Sequence, residues 1–351
     1  YYTKRNDLSY TVNYLEKDTN KVLHEAKVKD GMTFEEVVNS ADEVITIEGY
    51  NYDSVDKEKL TIGTGKNEIN IYYTKRNDLS YTVNYLEKDT LNVLHNPKVQ
   101  DGMMFDEVVN SADEVIEING YNYDSVVPEE TLTIGTGENV INIYYTKKTD
   151  LSYTVNYYWN GTNPLIPIKN SESGTETYGK TVNPDTDVPG YTLVPGQTTS
   201  LEIKDDPDQP NVLNLYYYKN VKLKANDTSR VYNGAKQTIL SSEEYTVITT
   251  LDNQVVETTF DKEINVTGSG TDVGSNYTMY FPKKEIGIHN EQYYVVGYEN
   301  GKLSITKRPV TLTSETAGKT YDGTALEKPV VTVGGDGFVE GQVKEIKATG
   351  S

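Results

Sequence analysis

YYTKRNDLSYTVNYLEKDT, residues Tyr1 to Thr19, recurs without a change at Tyr72 to Thr90, and an edited copy, YYTKKTDLSYTVNYYWNGT, opens at Tyr144. Recurrence at a spacing of about 70 residues marks an array of small modules. Each is short enough to be marginal alone and to gain from contact with its neighbours. Within the copy Leu8, Tyr10, Val12 and Tyr14 are apolar or aromatic, and Ser9, Thr11 and Asn13 are polar. That two-residue period is the mark of a strand with one buried and one wet face.

Outward from this strand, Glu16 to Asn20 reads as a turn and Lys21 to Val28 as a hairpin partner. The period then changes. Thr33 and Glu36 have the spacing of a capping box, and Phe34, Val37, Val38 and Ala41 follow at helical spacing, which predicts a short helix over 33–41. ADEVITIEGY and KLTI return to strand, and the glycines of Gly63-Thr64-Gly65 predict a hairpin turn into NEINIYYTK. The predicted order is ββαβββ. In the second copy Met104 replaces Thr33, so the cap is lost while Phe105, Val108, Val109 and Ala112 keep the helical spacing. A one-residue insertion falls near Pro128, as expected of a loop. The third copy shows no helical stretch. From Asn220 the pattern changes, with Tyr232 and Gly234 recurring as Tyr321 and Gly323, about 90 residues apart, in β-rich, Gly-punctuated sequence that reads as small sandwiches.

The resulting division is 1–73, 74–145 and 146–218 for three modules of the first kind, 219–308 for a β-sandwich, and 309–351 for a second sandwich without its closing strands. Linkers free of Gly and Pro predict a semi-rigid, monomeric rod. The opening Tyr1-Tyr2 matches the end of a closing strand, Ile69 to Tyr73, so the sequence reads as part of a longer chain.

Composition narrows the class. No cysteine is available for disulfides or thiolate metal sites. Aromatic usage is skewed to 30 Tyr against 5 Phe and 1 Trp, suiting sheets whose rings pack while their hydroxyls reach water. The formal net charge is -20, with the excess acid concentrated in the first three modules. Such a surface disfavours nucleic acid and anionic lipid. No apolar run is long enough to span a bilayer, so no membrane insertion is expected of this segment.

Catalytic constellations are missing from the pattern. His24 and His95 are one repeated position and His289 stands apart, so they read as strand histidines rather than ligands or bases. The GTG loops at Gly63 and Gly135 lack the Gly-Lys-Ser/Thr ending of a phosphate loop, and Gly268 to Gly274 precedes a strand rather than a helix. Asp205, Asp206 and Asp208 form an oxygen-rich loop that reads as a solvated turn, with calcium as the alternative. The adjacent pairs Glu35/Glu36 and Glu243/Glu244 lack the defined separation a glycosidase needs. No cofactor is implied. The one candidate binding feature is Tyr158 and Trp159, set before Asn160-Gly161 where a type I′ turn would hold the rings at a hairpin tip for stacking on a sugar; packing within the module is the alternative.

Tyr10-Thr11-Val12-Asn13-Tyr14, Gly49-Tyr50 and Ile69 to Tyr73, with their counterparts in the next two copies, resemble the MucBP-type repeats of mucin-binding surface proteins in Gram-positive bacteria. The third copy, with VPGYTLVPG from Val188 to Gly196, is similar to the common form of that family. Beyond Asn220, KRPVTLT, KTYDGT and VTGSGTDVGSNY resemble MBG-type β-domains of similar proteins. The first resemblance implies a ubiquitin-like β-grasp arrangement, which agrees with the derived strand order. Together they imply a non-enzymatic, extracellular, cell-wall-attached adhesin segment, a stalk with weak multivalent contact to mucin or other glycans. Dedicated carbohydrate-binding modules and the accessory region of a secreted glycoside hydrolase are the alternatives.

Overall fold

The computed structural model describes residues 1–349 of the chain, and Gly350 and Ser351, the end of the second predicted sandwich, lie outside the described residues. The chain is mainly β. It falls into two compact units, the first comprising residues 1–151, 175–180 and 203–210, the second 152–174, 181–202 and 211 onward.

In the first unit the opening module contains β1 (Leu8–Glu16), β2 (Val22–Met32), β3 (Val37–Asn39), β4 (Tyr50–Val55), β5 (Lys59–Thr61) and β6 (Glu68–Lys75). The main sheet runs β2-β1-β6-β4, with β1 and β6 parallel at its centre and β3 paired to β5 apart from it. The alternation of β1 is realised: Tyr10, Val12 and Tyr14 are 1%, 0% and 1% exposed, facing Ile69, Ile71 and Tyr73 of β6 at 0%, 0% and 1%. The repeated motifs are therefore cross-strand partners. Asn13 donates to Asn70 at 2.8 Å on the outer face of the parallel pair, and the corresponding amides Asn84 and Asn142 bond at 2.9 Å. The buried hydroxyl of Tyr73 donates to the carbonyl of Ile45 at 2.9 Å, tying down the segment before β4. The second module repeats the plan with β7 (Leu79–Glu87), β8 (Val93–Met103), β9 (Val108–Asn110), β10 (Tyr121–Val127), β11 (Thr131–Thr133) and β12 (Val140–Lys147). The extra residue lies where expected, between β10 and β11 at Pro128.

The predicted helices at 33–41 and in the second module do not form. In their place stand the turn Thr33–Glu36, strand β3 and a single 3-10 turn at Ser40–Glu43, matched by Ser111–Glu114. Glu35 has φ 65, a left-handed conformation that ends a right-handed helix at once, and Asp106 has φ 62. The N–H groups of Phe34 and Glu35 are bonded instead to the carbonyls of Arg5 and Ile62 at 2.8 and 2.9 Å. β-Branched Val37 and Val38 then pair with β5, as their propensity favours. One half of the capping box does form: Glu36 accepts from the Thr33 backbone N–H at 2.8 Å, and Glu107 from that of Met104 at 2.8 Å. That bond uses backbone at position 33, which is why replacing Thr by Met leaves the turn intact. The GTG loop is no hairpin either, since β5 pairs β3 while β6 pairs β1 and β4. Asn67 closes it as a crossover, accepting from Gly63 N–H at 2.8 Å and donating to the carbonyls of Gly63 and Ser9, both at 3.0 Å.

The second unit holds β13 (Leu151–Trp159), β14 (Ile166–Glu176), β15 (Thr181–Val182), β16 (Tyr191–Leu193), β17 (Leu201–Glu202) and β18 (Asn211–Ala225). β18 pairs parallel with β13 through its first half and continues unbroken past residue 218 to open the fourth module. That module is completed by β19 (Thr228–Val231), β20 (Gln237–Ser241), β21 (Tyr245–Thr249), β22 (Val255–Val256), β23 (Val266–Gly270), β24 (Gly274–Met279), β25 (Tyr293–Glu299) and β26 (Gly301–Thr306). β18, β21, β22 and β25 share one sheet, and β19, β26 and β24 another. Their shared core includes Val221, Leu223, Val266, Met279, Val295 and Leu303. The last module contributes β27 (Val310–Ser314) and β28 (Val331–Gly335), paired with each other.

Candidate functional site at the module junctions

The repeated Gly-Tyr dipeptide is where one module receives the next. Gly49 lies at φ 80 ahead of β4, and a Cβ there would sit 2.4 Å from ring carbons of Phe105, so the second module's Phe105 occupies the space a side chain would need. Tyr50 meets that ring edge to face at 5.6 Å, a geometry that adds about 0.5–1.5 kcal/mol beyond burial. Backbone completes the joint. Arg76 N–H donates to the Gly49 carbonyl at 2.9 Å, and Phe105 N–H donates to the Arg76 carbonyl at 2.8 Å. The linking residue is thus bonded on one side to the module before it and on the other to the module after it.

The same pattern recurs twice. Gly120, φ 81, receives Tyr178, whose ring fills the place a Cβ would take, and Tyr121 meets that ring at 5.7 Å. Here Lys148 N–H donates to the Gly120 carbonyl and Tyr178 N–H to the Lys148 carbonyl, both at 2.9 Å. Tyr178 stands in the same turn as Phe105, with Gly179 at φ 75 where the second module has Asp106. In the second unit Gly190, φ 79, receives Leu251, whose side chain fills the place a Cβ would take; Asn220 N–H donates to the Gly190 carbonyl at 2.9 Å and Thr250 N–H to the Asn220 carbonyl at 3.1 Å. Gly234, φ 80, receives Val339 of the last module in the place a Cβ would take, beside a hydrogen bond from Gln342 to the Tyr232 hydroxyl at 2.5 Å.

Trp159 and Tyr158 part company. Trp159 ends β13, its ring packs on the core of the fourth module and on Tyr293 at 5.6 Å, and its Nε1 donates to the Gln292 carbonyl at 2.9 Å. Lys219 Nζ lies 5.7 Å from the indole centre. The following loop is not a type I′ hairpin: of its residues Gly161 alone has positive φ, β14 begins only at Ile166, and Asn160 donates to the Glu291 carbonyl at 2.7 Å. The indole therefore joins two modules. Tyr158 points to the opposite face and packs against Tyr216 at 6.0 Å. By register the same level of the outer face carries Val22, Leu15 and Tyr72 in the first module and Val93, Leu86 and Tyr144 in the second.

Polar clamps finish the first two joints. Asp205, from the loop read as a turn or calcium site, accepts from Gly120 N–H at 3.0 Å and from Lys148 Nζ at 2.7 Å. The Lys148 and Gly120 bonds hold its carboxyl below the usual range. At the equivalent place between modules one and two, Thr136 donates to Glu48 at 2.6 Å. Elsewhere His24 and His95 pack edge-on against Tyr14 and Tyr85, and His289 stacks on Tyr218 at 4.9 Å. Among the described residues no cluster of His, Cys, Asp and Glu is arranged to hold a metal ion.

The receiving glycines stand in the sequence as a motif, but Phe105 reads there only as a helix residue, and nothing local marks Tyr178 or Leu251 as its counterparts. The signal was present: a glycine at fixed position in three otherwise edited copies demands either positive φ or close approach, and here it has both.

No family model matches the chain, and no curated protein matches it. Among solved structures it is similar to the Bacillus anthracis TIE protein, at 11% identity and TM-score 0.29 over 85% of this chain and 67% of that one.

Proposed function

We propose that this chain is a non-enzymatic, extracellular segment of a Gram-positive surface adhesin, a stalk of MucBP-type modules followed by MBG-type modules. The observation that carries the reading is the recurring joint, in which the corners at Gly49, Gly120, Gly190 and Gly234 are filled by a knob of the next module and, at the first three, the linking residue is bonded on both sides. Such joints transmit orientation from module to module, a property a spacer needs and a single-site enzyme does not. The sheet order β2-β1-β6-β4, with parallel central strands, supports a β-grasp arrangement in which the helix is reduced to the turn and 3-10 segment described above. Small-angle scattering of the full chain tests the stalk: an elongated profile that collapses toward a flexible one in a Phe105→Ala/Leu251→Ala variant is expected, and a compact profile overturns the reading.

Weak glycan contact belongs to the same proposal and has its own motive. Tyr158 and Tyr216 form a pair of partly exposed rings on the outer face, and stacking on a sugar adds roughly 1 kcal/mol per ring, giving per-module affinity weaker than about millimolar that repetition would raise. Titration of neutral and acidic mucin glycans into the wild type and a Tyr158→Ala/Tyr216→Ala variant tests it, and equal binding by both removes this surface.

A further inference from the structure

The fourth module carries an open groove of about 1100 Å³, bounded at one end by Glu291 and Gln292, whose backbone carbonyls accept from Asn160 and Trp159. It runs beside β22, the terminal strand of its sheet. Thr249 N–H donates to the Gln254 carbonyl at 2.9 Å, and the register pairs Ile248 with Val255 and Val247 with Val256. Bonded and non-bonded pairs alternate in an antiparallel ladder, so Val255 occupies a non-bonded position and its N–H and C=O point away from β21, to the free edge. The residue is 67% exposed. A free donor and acceptor on a terminal strand are what an added strand requires.

The chemistry of the walls selects the strand. Glu243, Glu257, Asp261 and Glu291 line the groove and no lysine or arginine does. Among the described residues none of the four carboxylates forms an ion pair, and the neighbouring Lys262 is taken by Glu285 at 2.7 Å. The carboxylates alone would be an ordinary solvated surface. Beside a strand edge they set the charge of whatever pairs there.

We propose that this groove docks an extended peptide bearing Lys or Arg at alternate positions, which joins β22 as a new edge strand. Main-chain bonds to Val255 would supply the register, and the side chains on one face of the added strand would reach the four carboxylates. An acidic glycan would meet like charge at every wall.

The test uses the full chain and the synthetic peptide (Lys-Val)4, with (Glu-Val)4, spermine and N-acetyllactosamine as separate arms, read by calorimetry and by amide shifts. Saturable binding of (Lys-Val)4 that shifts the Val255 and Thr258 amides is expected. Val255→Pro, which removes the outward N–H at an edge position, should weaken it about tenfold or more. Glu257→Gln/Glu291→Gln, whose carboxamides keep the shape, should also weaken it and flatten its salt dependence. The wild-type shift map decides the matter even if Val255→Pro perturbs folding. The proposal is overturned by no saturable binding, by shifts outside the groove, by spermine binding as tightly as the peptide, or by binding of N-acetyllactosamine in preference to it.

Discussion

The joint between the first two modules and the joint between the third and fourth solve one problem with different side chains. Both begin from a glycine at positive φ, Gly49 and Gly190, and both bond a linking residue to that glycine's carbonyl at 2.9 Å. The first receives a phenyl ring and needs little more. The second receives Leu251, a smaller knob, and adds the Trp159 strand end, whose indole packs on Tyr293 and bonds to Gln292. The receiver is constant and the knob varies. Backbone geometry at the glycine is the shared specification, and the apolar contact is supplied by whichever side chain the next module presents.

The largest expected effect comes from breaking the receiver. Gly49→Val forces a β-branched residue into the left-handed region and into the space of Phe105, costing about 2–5 kcal/mol between backbone strain and overpacking. In a Phe105→Ala background the steric part should vanish, leaving a coupling of roughly 1–3 kcal/mol in the double-mutant cycle. Gly190→Val should behave alike against Leu251→Ala. Hydrogen-exchange mass spectrometry, which reads each module separately, checks both, and tolerance of valine at either glycine would end the comparison.

Next in size is the aromatic that distinguishes the second joint. Trp159→Ala should cost about 2–3 kcal/mol locally, below the range for a fully buried aromatic because the ring is only partly buried. As the single Trp of the chain it is also its own reporter. Its emission should shift to the red when the fourth module is selectively destabilised by Leu223→Ala, while Gly49→Val should leave it unchanged. A response to both would mean that the two joints are coupled.

What could be read beforehand follows the same division. Alternating burial in β1 and its hairpin partner was visible because a two-residue period is a local property. The helix was misread because Phe34, Val37, Val38 and Ala41 satisfy a helical template while the decisive feature, the left-handed Glu35, leaves no trace in the first two copies. It does leave one in the third, where Gly179 takes that place. Trp159 was misplaced for a different reason: its partners Gln292 and Tyr293 lie more than a hundred residues away, and no local pattern announces them.

A third contrast separates the first two modules from the third by pH. Glu43 is 7% exposed and accepts from Tyr10 at 2.7 Å and Lys27 at 2.6 Å, as Glu114 does from Tyr81 and Lys98. Burial pushes the Glu43 carboxyl up, but the Lys27 and Tyr10 bonds outweigh it and leave it below its ordinary 4.5. In the third module the carboxylate beside Tyr157 is the more exposed Glu172. A carboxyl lowered in the folded state stabilises above its unfolded value, and that contribution is lost as pH falls through the lowered one. Modules one and two should therefore lose stability as the pH drops below about 4.5, the ordinary value from which both carboxyls are lowered. Glu43→Gln should remove that dependence from module one alone, as amide exchange at pH 7 and pH 3 would report.

The smallest expected effect concerns the clamp that distinguishes the second joint of the first unit from the first. Asp205 accepts from Gly120 N–H and from Lys148, whereas at the first joint Glu48 accepts from Thr136 and its carboxylate lies on the receiving side. Asp205→Asn keeps an oxygen for the Gly120 N–H and loses only the ion pair. With the Asp205 and Lys148 side chains 19% and 32% exposed, the loss should be about 0.5–1 kcal/mol and shrink in high salt. Because the Asp205 carboxyl is lowered by Lys148 and Gly120, its contribution is present above the ordinary aspartate range and fades as pH falls below it. Exchange of the Gly120 amide reads this directly. It should quicken a few-fold in Asp205→Asn and at low pH after correction for intrinsic rates, with the Gly49 amide unchanged. Equal acceleration at both glycines would assign the effect to the module as a whole and remove the clamp from the account of the joint.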